Sequence, residues 1–110
     1  MTIEQLRKAG FKVRATHYRF YKHKDDNVYD LLPKFALKNR ADQYDPQDVS
    51  PMGGRTRVEI TPSEIGVMAG RTMIGEAECS IKDNYNRKYG VQLAIDRAIL
   101  SFINGLVLGL

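Results

Sequence analysis

Two arginines separated by one residue, Arg55 and Arg57, are the first groups in this chain whose type and spacing suggest chemistry. In extended backbone such a pair projects from one strand face, with about 7 Å between the side chains. Two planar guanidiniums at that spacing suit phosphate oxygens, since each can bond through two N–H groups. A solvated strand face accounts for the same pattern. His17 and Arg19 repeat the spacing in an earlier segment. Ser80 and Asn84 supply neutral donors near the expected start of a long helix, where free amides and the positive end of the helix dipole add to them. Arg97 lies further along that helix on a side otherwise made of Asn86, Gly90, Ala94 and Ser101. A guanidinium on so closely approachable a face needs a carboxylate or an anionic ligand, and an ion pair between subunits would also satisfy it. Tyr18, Phe20, Tyr21, Tyr85 and Tyr89 fall in the same segments as these cations. Aromatic faces beside guanidiniums suit a base with its phosphates, although ordinary core packing uses the same spacings.

Catalytic arrangements are thin. His17 and His23 are the only histidines, and Cys79 is the only cysteine, so neither a metal cluster of the usual Cys/His spacing nor an internal disulfide is expected. The Asp25-Asp26 and Asp45…Asp48 pairs sit among turn formers, where Asp serves the backbone. No phosphate loop or dinucleotide fingerprint occurs; Gly53-Gly54 reads as a turn. A binding protein without cofactor or catalysis is expected.

Thr2-Ile3-Glu4-Gln5 reads as a capping box for a short helix that stops at Gly10. In "FKVRATHYRFYKH", Phe11, Val13 and Ala15 alternate with polar residues, which predicts a strand whose second half turns His17, Arg19 and Tyr21 to the same face. The pattern breaks down from about 24 to 54, where three of the four prolines fall, so an irregular insertion is expected there, with one weak apolar knot around Val28–Leu37. "RTRVEIT" is a strand, and Ser63–Met68 and Arg71–Cys79 read as two more. In the last, Met73, Gly75, Ala77 and Cys79 share one shallow face, as a sheet needs where a helix lies close. Ser80 is expected to cap the final helix, with Tyr85, Tyr89, Leu93, Ile99, Leu100 and Ile103 forming the stripe that packs on the sheet.

The sum is a single α+β domain over 1–110: an antiparallel sheet of about four strands, a short N-terminal helix and a long C-terminal helix packed on it. A hydrophobic content of 43% and a charged content of 27% fit one globular core, and the net charge of +4 favours an anionic partner. Neither a secretion signal nor an apolar run long enough to span a membrane is visible, so a cytosolic protein is expected. The apolar tail "FINGLVLGL" exceeds what a small monomer hides easily, which predicts self-association.

"THYR" in the early strand, a Gly-Arg-rich strand and "GEAECSIKDNYNRKYGVQLAIDRAI" together resemble the phage Thoeris anti-defence sponges, the first-described family of that kind. The likeness is strong over residues 55–100, weaker over the N-terminal third and absent in the insertion. It implies a phage protein acting in the host cytoplasm that sequesters cyclic ADP-ribose isomers without cleaving them. For some members it extends to cyclic oligonucleotides of CBASS defence. It also implies a dimer or hexamer with pockets between subunits. Carried over by position, Arg97 is the arginine of the Ala-x-x-Arg-Ala motif, Ser80 the polar residue after the cysteine, and His17 and Arg19 the early-strand basic groups. Arg57, with Arg55 beside it, would serve a second, cyclic-oligonucleotide pocket. An alternative is a double-stranded-RNA-binding domain, which shares the order helix, three strands, helix. Lys82, Arg87 and Lys88 are a sparse basic cluster for that role, and no nucleic-acid polymer is expected as partner.

Overall fold

Thr2 begins the chain's first element as foreseen. In the computed structural model, which describes residues 1–62 and 72–108 (the side chains as far as 104), its hydroxyl accepts from Gln5 N at 3.2 Å while Gln5 Oε1 accepts from Thr2 N at 2.9 Å. Helix α1 spans Ile3–Lys8, and Gly10 then takes φ 94°, a backbone conformation that a side chain would strain. Leu6 anchors α1 in the main core.

Five strands form one antiparallel sheet: β1 (Lys12–His23), β2 (Tyr29–Pro33), β3 (Tyr44–Val49), β4 (Met52–Thr61) and β5 (Met73–Asn84). The order β2-β1-β4-β5 puts β1 in the interior, with β3 pairing along the far half of β1 beyond the start of β4. The register sets Val13 opposite Ile60, Ala15 opposite Val58 and His17 opposite Thr56, so the alternation of both strands meets on one face. The predicted strand at Ser63–Met68 lies outside the described residues, as does Arg71 at the start of the next.

Two expectations are corrected. The segment expected to be irregular folds into β2, a 3-10 helix at Lys34–Arg40 and β3, around a second small core of Tyr21, Leu32, Leu37 and Tyr44. Its strands are short and β1 is long. β1 outruns β4, so its far half needs hydrogen-bonding partners that only this segment can supply. The Tyr44 hydroxyl donates to Asp30, fastening β3 to β2. That bond raises the Tyr44 pKa above its ordinary value.

The second correction concerns the long helix. α2 spans Arg87–Leu108, and the stretch from Ser80 to Asn84 remains in β5. Asn86 is the cap, its Oδ1 accepting from Tyr89 N at 3.1 Å. The helix faces the sheet with two alanines and one large side chain: Ala94, Ile95 and Ala98 are buried in the main core beside Val58, Ile60 and Met73. A Cβ on Gly75 would fall 1.9 Å from Ala94 O and 2.5 Å from Ala98 N, so helix and strand touch backbone to backbone. The shallow row of β5 foretold this closeness. The helix answers it with Ala94 and Ala98 at the closest contact; of the expected stripe, Leu93 and Ile99 pack partly against the core, while Tyr89, Leu100 and Ile103 are left at 67%, 58% and 48% exposure.

Candidate functional site

The face that β1 turns toward α2 changes character at His17, as its alternation foretold. His17 Nδ1 lies 2.7 Å from the Tyr85 hydroxyl and 3.2 Å from Thr56 Oγ1, and the two hydroxyls are 2.6 Å apart. Thr56 is buried on the neighbouring strand, and Tyr85 sits in the two-residue link between β5 and α2. The network closes when Thr56 donates to the phenol oxygen and the phenol donates to Nδ1, which puts the imidazole hydrogen on Nε2. Burial, followed by the nearby cations Arg87 and Arg19, lowers the His17 pKa below its ordinary value, so the ring is neutral at neutral pH.

Arg19 lies two residues on, with its guanidinium carbon 5.1 Å from the centre of the Tyr85 ring. Its Nη2 donates to Ser50 O at 3.0 Å, while its Nε is buried without a hydrogen-bond partner among the described residues. Tyr85 is thus the hinge of the arrangement, bonded through its hydroxyl to His17 and covered on its ring by Arg19.

His17 also lines a groove of about 710 Å³, within the usual range for small-molecule sites. β1 contributes Arg14 and His17, the first residue of α2 contributes Arg87, and the 3-10 helix contributes Lys34, Phe35 and Lys38. No carboxylate lines it among the described residues, and none of the four full cations makes an ion pair there. Arg14 stands opposite Glu59 in the register and points to the sheet face away from His17, so Lys34, Lys38 and Arg87 are the groove cations without a carboxylate beside them among the described residues; gathered so, they raise the local potential and attract anions.

The other predicted residues are placed elsewhere. Arg55 and Arg57 do share a strand face, but Glu76 and Glu78 hold Arg55 at 3.1 Å and 2.7 Å. Arg57 lies 3.4 Å from Glu59 and 4.0 Å from Glu76. This is a mixed-charge ladder across β4 and β5, the solvated face that was the alternative reading. The bond to Glu78 raises the Arg55 pKa further. Ser80 and Asn84 line a separate cleft of about 210 Å³ together with Glu78 and Asp83. Two carboxylates and no cation make that cleft a poor seat for phosphate, and it owes nothing to a helix start, because both residues belong to β5. Arg97 is exposed on the flank of α2, where its Nη1 donates to Glu76 O at 3.0 Å. It covers a backbone carbonyl of β5, which pairs only with β4 among the described strands.

Of the predicted residues, then, His17 and Arg19 come together and the rest lie apart. Sequence reasoning missed Arg14, Lys34, Phe35 and Lys38 as site residues, and it considered Arg87 only for RNA. The i, i+4 lysines in "KFALK" were the one local signal, within a segment read as irregular. Among the described residues no group of three or more His, Cys, Asp and Glu could hold a metal ion. None of the described helices is long and apolar enough to cross a membrane. No protein-family model, no curated protein and no solved structure matches the chain.

Proposed function

We propose that this chain binds a cyclic nucleotide immune signal and withholds it without cleaving it. The groove beside His17, not the flank of α2, would then seat the phosphates. The single observation that carries this reading is the groove itself, with Arg14, Lys34, Lys38, Arg87 and His17 around one concavity and no acidic residue among the described walls. Charge-assisted N–H···O bonds from guanidinium and ammonium groups to phosphate are the strong ones, and they need no bond-breaking chemistry. The resemblance to phage Thoeris anti-defence sponges supplies the ligand class: isomers of cyclic ADP-ribose, with cyclic oligonucleotides as a second class. A phage protein working in the host cytoplasm as a homo-oligomer, dimer or hexamer, follows from the same reading. The exposed stripe of Tyr89, Leu100 and Ile103 on α2 is the surface that would be shared.

The test is to incubate the purified protein with a cyclic ADP-ribose isomer, remove free ligand, denature the protein and identify what is released. Intact ligand in stoichiometric amount is the expected result. Altered ligand would mean an enzyme, and none would remove this ligand class. The Arg87→Ala variant should retain up to about 5-fold less, since Arg87 is exposed and an exposed charged contact contributes up to about 1 kcal/mol.

One observation favours a second reading. α1 and α2 lie on the same face of the β1–β4–β5 portion of the sheet, sharing a core through Leu6, Ile95 and Ala98, with Arg87 and Lys88 at the start of α2. With β2, the 3-10 helix and β3 set aside, the remaining order of helix, three strands and helix is that of a double-stranded-RNA-binding domain. Binding to duplex RNA that falls steeply with salt would favour it.

A further inference from the structure

We infer that Phe35, on the 3-10 helix between β2 and β3, is the stacking platform of the cationic groove, and that its ligand is an aromatic base joined to at least two phosphates. The inference rests on the groove being an anion site. Within the 3-10 helix the two large apolar side chains have opposite fates: Leu37 is 4% exposed in the small core, whereas Phe35 is 62% exposed at the groove. Leu37 therefore fixes the helix to the sheet, and Phe35 is left free of that task. In a 3-10 helix, residues three apart eclipse one another, which stacks Phe35 and Lys38 on one side. A ring face beside an ammonium is suited to a base whose phosphate lies next to it.

The remaining cations come from other elements, Arg14 from β1 and Arg87 from α2. With Arg14 standing opposite Glu59, Lys34, Lys38 and Arg87 still leave three permanent positive charges around one concavity, more than a single phosphate dianion balances, so two phosphates fit the charge better than one. His17, whose Nδ1 is taken by Tyr85 and Thr56, has its Nε2–H to offer as a neutral donor. The segment that reads as an insertion thereby acquires a role. It carries Phe35 together with Lys34 and Lys38 on one wall of the groove, whose other walls are β1 and α2.

Calorimetry with inorganic pyrophosphate and with ADP separates the two halves. The wild-type protein should bind both, ADP about 10-fold more tightly, the size of effect that one base–aromatic stack gives. Phe35→Ala should bring ADP affinity down to that of pyrophosphate while leaving pyrophosphate unchanged. Phe35→Trp should restore the preference, and an unaltered circular dichroism spectrum should show that both variants fold. If pyrophosphate binds but Phe35→Ala keeps the full preference for ADP, the assignment of Phe35 is overturned and the anion groove stands. If neither probe binds the wild-type protein, the groove reading fails and this inference fails with it.

Discussion

At the scale of single residues, His17 is held neutral by its surroundings, and this has a consequence for pH. Its folded pKa lies below the ordinary 6.5 because of burial and then Arg87 and Arg19. Above about pH 6.5 the ring is neutral in both folded and unfolded chains and costs nothing. As pH falls below that value the unfolded chain takes up a proton that the folded one resists, so stability declines until the folded pKa is reached. Urea midpoints measured from pH 8 to pH 5 should therefore drop in the wild-type protein and drop less in His17→Gln. A bound anion in the groove works in the opposite direction, since negative charge beside His17 favours its protonated form. Affinity for sulfate, whose charge does not change in this range, should accordingly rise as pH falls from 8 to 6, with proton uptake detectable by comparing calorimetry in buffers of different ionisation enthalpy. Equal affinity across that range would place His17 out of contact with the anion.

Elements owe their arrangement to how near their backbones can come. α2 lies on β5 where Gly75 meets Ala94 and Ala98, and that contact settles which helix face is buried. Gly75→Ala inserts a methyl group where the nearest atoms are helix backbone, so the helix has to lift. Overpacking of this kind costs about 1 to 3 kcal/mol, and a contact this short belongs at the upper end. Thermal unfolding should show the loss, and the midpoint of Ala77→Gly, made as a control for small-residue changes in the same strand, should move less. The insertion obeys the same logic at the far end of β1. Its strands exist because β1 is longer than β4, and its 3-10 helix is held by Leu37 in the small core.

For the whole molecule, charge and apolar surface are segregated. The compensated ladder of Arg55, Arg57, Glu59, Glu76 and Glu78 covers one face of the sheet. Lys34, Lys38 and Arg87 gather in the groove, and Arg14, opposite Glu59, stands between groove and ladder. The outer stripe of α2 carries large side chains to solvent, the kind of surface that subunits share. Leu100→Lys combined with Ile103→Lys should lower the mass seen by light scattering to that of a monomer, with the unfolding midpoint falling to a value that no longer depends on protein concentration, because both positions are exposed in the single chain and only association covers them. A wild-type protein that is monomeric at high micromolar concentration would end the proposal that this stripe is shared. Net charge works with the groove here: at +4 the chain attracts an anionic ligand from a distance, and association should slow as salt is added.

Local rules were enough to determine much of this protein. The capping box at Thr2 and Gln5, the turn at Gly10, the alternation of β1 and β4 and the shallow row of β5 were all legible, because each depends on neighbours within a few residues. So was the conversion of β1 from core to polar face at His17. Tertiary structure alone decided three things. It chose which side of α2 is buried, because a close backbone contact made alanines a better fit than the larger stripe. It ordered residues 29 to 49, because the unpaired length of β1 needed partners that no local pattern announces. And it neutralised Arg55 and Arg57 while leaving Lys34, Lys38 and Arg87 without ion pairs among the described residues, since counter-charges arrive from strands and helices far apart in the chain and spacing along the chain does not record them.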